Sequence, residues 1–136
     1  MRSTLARKAR RRAEPPAAVR AALLGIFGQD VDGVRVVEYS WYARLHLGMV
    51  ATTRYRRVYL RGSADQFYAN PELVLHEYFH VLRQWESRAL THLRYLLESL
   101  RKGYRQNRFE VEARAFAAET LPRYSLELAR ARMPVP

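Results

Sequence analysis

The chain of 136 residues has no cysteine. That excludes a disulfide framework and removes thiolate from any metal site, leaving imidazole and carboxylate as protein ligands. No apolar run approaches the roughly 18 residues a membrane-spanning helix needs. No acidic residue occurs before Glu14, and no internal repeat is visible. What is present suits one folded domain: 49% hydrophobic and 12% aromatic residues argue against disorder, and the length can bury a proper core.

The missing acid at the start exposes a charge asymmetry. The net charge is +11, and six of the 24 basic residues (Arg2, Arg7, Lys8, Arg10, Arg11, Arg12) fall in the first twelve positions. The rest carries 18 basic against 13 acidic residues, only +5. Residues 1–16 therefore read as a basic flexible arm ending at Pro15-Pro16, ahead of a folded domain over 17–136. Such an arm suits an anionic partner (nucleic acid, anionic lipid or an acidic protein) or serves simply as a solvated tail. Ala21 to Phe27 is too short and interrupted for a secretory signal. With neither signal nor span, the expected location is the cytoplasm, or outside it by a non-classical export route.

The most informative stretch is His76-Glu77-Tyr78-Phe79-His80, an H-E-x-x-H sequence. On a helix, positions i and i+4 share a face, so both imidazoles can aim at one point. Glu77 lies about 100° round the same turn. It is displaced from the ligand row but within reach of a water beside the metal. A zinc ion lowers the pKa of such a water to about 7, and a carboxylate can take its proton. Asn70-Pro71-Glu72 is a helix start: Asn as N-cap, Pro at the first position, an acid in the first turn. Val74, Tyr78, Val81, Leu82 and Trp85 supply an apolar stripe.

A catalytic zinc needs a third protein ligand. The H-E-x-x-H-x-x-G-x-x-H pattern is absent, since Arg83 and Glu86 stand at its Gly and His positions. A second helix with apolar face Phe109, Ala113, Phe116, Ala117 and Leu121 carries Glu110 beside that face, with Pro122 expected to stop it. A carboxylate bordering a buried stripe needs a positive partner, which zinc would provide. Asn107-x-x-Glu110 also reads as a capping box, in which Glu110 bonds back to the Asn107 amide. Glu112 projects further round. His92 is an outside candidate, and His46 is read as a surface or core residue.

Residues from about Phe27 to Glu119 resemble the eCIS-core family, metallopeptidase domains of gluzincin type found in bacterial secreted and contractile-injection-system proteins. The similarity rests on Phe27-Gly28-Gln29-Asp30-Val31-Asp32-Gly33-Val34-Arg35-Val36, Leu47 to Thr53, Val58-Tyr59-Leu60 and Leu75 to Trp85, in the family's order. Glu110-x-x-Ala113-x-x-Phe116-Ala117 resembles the third-ligand helix of small gluzincins. The resemblance implies zinc held by His76, His80 and Glu110, with Glu112 the weaker alternative. It also implies a peptide or protein substrate laid along the strand Val58-Tyr59-Leu60. Two positions depart from the pattern. Arg54-Tyr55-Arg56 replaces a turn that usually carries Gly. Arg114 stands where Asp or Asn often orients a ligand histidine.

Coarsely, Ala17 to Ile26 reads as a helix, and Gly33 leads into strand Val34 to Val37. Ser40 is read as capping a helix through Trp41, Leu45 and His46 to Gly48. Val50 to Thr53 and Val58 to Leu60 make a hairpin. Leu90, Leu93, Leu97 and Leu100 stripe a helix ending at Gly103, and Ser125 caps a last short helix. Few strands early and helices late give an α+β class, a small zincin-like fold. Tyr104 is the first choice as donor to an oxyanion and Tyr68 the second. The chemistry expected is peptide hydrolysis with Glu77 as general base. The alternatives are an inert zincin-fold binding module, which Arg114 favours, and a basic nucleic-acid-binding protein.

Overall fold

The computed structural model describes residues 12–40, 51–54, 56–85 and 92–134. The expected helix from Ser40 through Trp41 and His46, and the arm before Arg12, lie outside the described residues. The elements in chain order are β1 (Arg12–Ala13), α1 (Ala17–Phe27), β2 (Arg35–Val37), β3 (Ala51–Arg54), β4 (Arg57–Leu60), α2 (Ala64–Tyr68) and α3 (Pro71–Phe79). A π-helical turn, His80–Trp85, extends α3, and α4 (His92–Gln106) and α5 (Arg108–Arg132) follow. The class is α+β, as expected.

The strands form one mixed sheet in the order β1-β2-β4-β3. β1 pairs antiparallel with β2, so the sheet reaches into the segment read as an arm. β2 runs parallel to β4, and β3 and β4 form the expected hairpin, with Thr53 opposite Val58. Its turn needs a left-handed residue, and Arg56 takes that role at φ 56° where Gly would sit without strain. β4 is therefore an inner strand with both edges paired. The reading of Val58-Tyr59-Leu60 as the strand open to a substrate is corrected: among the described residues the open edges belong to β1 and β3. The sequence could not reveal this, because strand order is set by long-range pairing.

Helix α1 ends on Gly28 at φ 70°, whose N–H bonds back to the Leu24 carbonyl. The core joins Leu23 and Phe27 of α1, Val36, Val58 and Leu60 of the sheet, Val74, Leu75 and Tyr78 of α3, and Ala113, Ala117, Tyr124 and Leu128 of α5. α5 packs against both α1 and α3. Its Phe116 ring stacks on Phe79 (4.6 Å between centroids) and Phe27 (5.4 Å).

Helix α5 passes through Pro122 and continues to Arg132, so the expected stop at Pro122 and restart at Ser125 are corrected. Proline removes one helical hydrogen bond and costs about 3 kcal/mol. Here Pro122 and Ala118, four residues earlier, both face solvent, where water can take the freed carbonyl. The turns beyond bury Tyr124 and Leu128, which offsets the loss. The stripe on α4 also behaves differently from a core stripe. Gly103 breaks the helix at φ 76° and ψ 167°, as expected, but Leu97 and Leu100 face solvent. The side chain of Leu93, and Leu90 altogether, lie outside the described residues.

Two buried tyrosines predict opposite effects. The Tyr68 and Tyr78 hydroxyls pair at 3.2 Å. The Tyr124 hydroxyl is fully buried with no hydrogen-bond partner among the described residues. An unsatisfied buried hydroxyl costs about 1–3 kcal/mol, so Tyr124→Phe should hold or raise the unfolding free energy by about 1 kcal/mol, whereas Tyr78→Phe should lower it by about 1 kcal/mol. Urea titration of both variants tests this; a loss in Tyr124→Phe would reveal a hydrogen bond at that hydroxyl.

Candidate metal centre

The start of α3 forms as its sequence dictates. The Asn70 side chain accepts the Leu73 N–H at 3.2 Å, and Pro71 occupies the first turn. Burial of Val74, Leu75 and Tyr78 fixes the rotation of the helix. His76 and His80 then project together, their Nε2 atoms 3.1 Å apart and their rings edge to face at 80°. The small Ala113 and Ala117 on the buried face of α5 let it lie close to α3, and Glu110 sits one turn before Ala113 on that face.

Glu110 Oε2 lies 3.0 Å from His76 Nε2, and Oε1 lies 3.3 Å from His80 Nε2. Glu110 thus meets the histidines rather than folding back to cap Asn107. That cap is made by Asn107 alone, whose side chain accepts the Phe109 N–H at 2.9 Å. Glu112 is exposed on the far side of α5 and is not in the cluster. A tetrahedral ion bound at about 2.0–2.1 Å sets its ligands roughly 3.3 Å apart, close to the spacing of these donors.

The protein also fixes which histidine nitrogen faces the centre. The Gln84 amide donates to the Phe109 carbonyl at 3.0 Å, which turns its Oε1 toward His80. His80 donates Nδ1–H to that oxygen at 2.6 Å, leaving Nε2 to present its lone pair inward. Gln84 lies on the π-helical turn, is 2% exposed and ties the histidine helix to the start of the Glu110 helix. It does for His80 what position 114 was expected to do, and Arg114 itself is exposed. The hydroxyl of Tyr95 on α4 donates to Glu110 Oε1 at 3.2 Å. Neither support is among the site residues named from sequence. Gln84 was findable, since 76, 80 and 84 follow one helix face and a polar residue there interrupts an apolar stripe. Tyr95 gave no local signal.

Three acceptor atoms this close require a cation or a proton among them. The direction of the pKa shifts agrees. Burial disfavours the Glu110 charge, but bonds from His76 and His80 outweigh it and hold the carboxyl well below the usual range. Burial would lower His80, yet Glu110 and Glu77 raise it. Glu77 is 5% exposed and accepts no hydrogen bond from the described residues. Burial raises its pKa, against the pull of the two histidines. His76, His80 and Glu110 could therefore hold a metal ion.

Of the other candidates, Tyr68 is held by Tyr78, on the opposite side of α3 from the histidines. Its pKa is pushed up to about 12, mainly by burial. The side chains of Tyr104 and His92 and the whole of His46 lie outside the described residues. The open edge strand β3 runs beside this helix: Trp85 donates its indole N–H to Thr53 Oγ1 at 3.2 Å.

Two measurements follow. Gln84→Leu frees the His80 ring and strands the Phe109 carbonyl, and should weaken metal binding about 10–100-fold in chelator competition. An unchanged affinity would remove Gln84 from the site. Without metal, the Glu110–His80 pair should stabilise the fold over a limited pH window. Glu110 titrates below 4.5 in the fold, so its contribution is present above 4.5 and lost as pH falls. His80 titrates above 6.5, so its contribution is present below 6.5 and lost as pH rises through the folded value. In excess chelator, the stability gap between wild type and Glu110→Gln should be widest between pH 4.5 and 6.5. A gap that does not vary with pH would mean the pair does not form.

The fold and site together define a small α+β domain with a buried His-His-Glu cluster across two helices. Residues 14–88 match the eCIS core domain. The match covers more than half of the chain, which therefore belongs to the eCIS core domain family. His76, Glu77, His80 and Gln84 fall inside the match and Glu110 outside it. The chain matches no curated protein and no solved structure.

Proposed function

We propose that residues 17–136 form a zincin-like domain acting as a zinc metallopeptidase of gluzincin type, with zinc held by His76, His80 and Glu110. The observation that carries this is the convergence of Nε2 of both histidines and the Glu110 carboxylate at 3.0–3.3 Å, with Glu77 buried one residue from His76. The donor set of two imidazoles and one carboxylate without thiolate suits a catalytic zinc site with one open position. Bound there, zinc would supply Lewis acidity to the attacking water and the scissile carbonyl. Glu77 takes the proton of the attacking water and hands it to the leaving amine. Gln84 keeps His80 Nε2 aimed inward and Tyr95 restrains Glu110. The open edge of β3, rather than β4, offers main-chain groups to an extended peptide.

The depth of the cluster favours a second reading, a module that keeps the metal without hydrolysis. Only His76, at 15% side-chain exposure, has appreciable contact with solvent. Elemental analysis of dialysed protein, paired with cleavage of an unfolded protein substrate with and without chelator, separates the two. One zinc per chain with chelator-sensitive cleavage supports the peptidase. One zinc without cleavage supports the module. No zinc after zinc is supplied overturns both.

A further inference from the structure

Helix α4 is oriented against the usual rule. Its inward side carries polar groups: the Tyr95 hydroxyl on Glu110, Ser99 accepting from the Asn107 amide at 2.9 Å, and the buried Glu98. Its outward side carries Leu96, Leu97 and Leu100, exposed by 55%, 51% and 75%. At about 100° per residue these leucines fall within one arc of roughly 100°. Single exposed leucines are ordinary, but several on one helix face mark an interaction surface. Arg94 and Arg101 border one edge of the arc and are exposed, whereas Lys102, also exposed, projects from the opposite side of the helix. The one acid of the helix, Glu98, is buried. Every charge that α4 shows to solvent among its described side chains is therefore positive.

We propose that this leucine ridge is a docking surface for an acidic amphipathic helix of a protein partner. Apolar anchors at spacings of three and four would cover the leucines, and an acidic flank would meet Arg94 and Arg101. A second copy of the chain would bring the same cations together, and each copy already carries +11. A membrane surface fits less well: the arc spans little more than one turn and holds no aromatic side chain, whereas interfacial helices lay down a longer face with Trp or Phe. The partner would sit on the face of α4 opposite the one through which Tyr95 reaches the metal centre. The proposal stands independently of the hydrolytic reading.

The test uses the full chain and a synthetic Leu/Glu amphipathic helix of about 18 residues, with a scrambled peptide of the same composition as control. The expected result is saturable binding of the helix in fluorescence polarisation and at least about tenfold weaker binding of the scramble. Leu97→Ser/Leu100→Ser keeps the charge and should weaken the helix by at least about tenfold. Arg101→Glu leaves the leucines in place and should also weaken it, which keeps the test valid should the serine variant misfold. Equal binding by the serine variant, with its circular dichroism unchanged, would reduce the effect to bulk charge and overturn the proposal. So would absence of saturable binding. Leucine-dependent binding to phosphatidylserine vesicles without peptide binding would assign the ridge to a membrane, and leucine-dependent dimerisation would assign it to a second copy. Either outcome also overturns the proposal.

Discussion

Glu77→Gln should abolish hydrolysis while leaving the metal in place. The amide has nearly the shape of the carboxylate but cannot take a proton from water, and loss of a general base removes about 10²–10⁴ in rate. The proposed ligands His76, His80 and Glu110 are untouched, so zinc stoichiometry and affinity should match wild type. The variant should also fold normally. Glu77 is buried, and its raised pKa means that its ionised form costs stability at neutral pH. Removing that charge should leave the unfolding free energy unchanged or raised. Turnover, zinc content and a denaturation curve on one preparation decide the matter. Wild-type turnover in the variant would sink the role of Glu77. Loss of zinc together with turnover would show that Glu77 acts on the metal rather than on water.

The second large effect belongs to Glu110→Ala, which should lose the metal. Disturbing only a group that orients a ligand costs about 10–100-fold in affinity, so removing a ligand should cost at least about a hundredfold. Zinc per chain after dialysis should fall from one to none. Thermal melts should show the same loss. A ligand present at a hundred times its dissociation constant stabilises the fold by about 2.7 kcal/mol, and the variant should lack that zinc-dependent increment. Glu112 cannot readily rescue the site, because it is exposed on another side of α5. Zinc retained at wild-type affinity would show that Glu110 is not a ligand. The Ala variant should be compared in chelator as well, since losing one partner of a buried pair leaves His80 to titrate at a lower pH.

Access to the centre bears on both experiments. Glu77, His80 and Glu110 are each at most 5% exposed. On the peptidase reading, a substrate carbonyl would reach the centre past His76, whose side chain is 15% exposed. The hairpin that carries β3 turns on Arg56 rather than Gly. On the same reading, the packing of β3 on the π-helical turn, through Trp85 and Thr53, would set where an extended substrate lies.

The sequence by itself determined what short-range chemistry controls. Asn70 and Pro71 start α3, and the i, i+4 spacing puts His76 and His80 on one face. The hairpin appears where alternating residues meet a turn, α1 spans its amphipathic segment, and Gly103 interrupts α4. All are decided within a few residues, by caps, helical periodicity and the left-handed tolerance of glycine. Tertiary structure decided everything that depends on two distant segments meeting. Glu110 could serve as cap or ligand, and only the close approach of α5 to α3, allowed by Ala113 and Ala117, places it 3.0 Å from a histidine 34 residues away. Tyr95 reaches the site from a third helix. Strand order closed both edges of β4 and, among the described residues, left β3 open. Pro122 reads locally as a stop, but burial of Tyr124 and Leu128 beyond it carries the helix on. Leu97 and Leu100 of α4 read locally as core, and they face solvent because Tyr95, Glu98 and Ser99 claim the inward side. Local pattern states which faces exist; packing free energy, summed over the whole chain, chooses which face meets which.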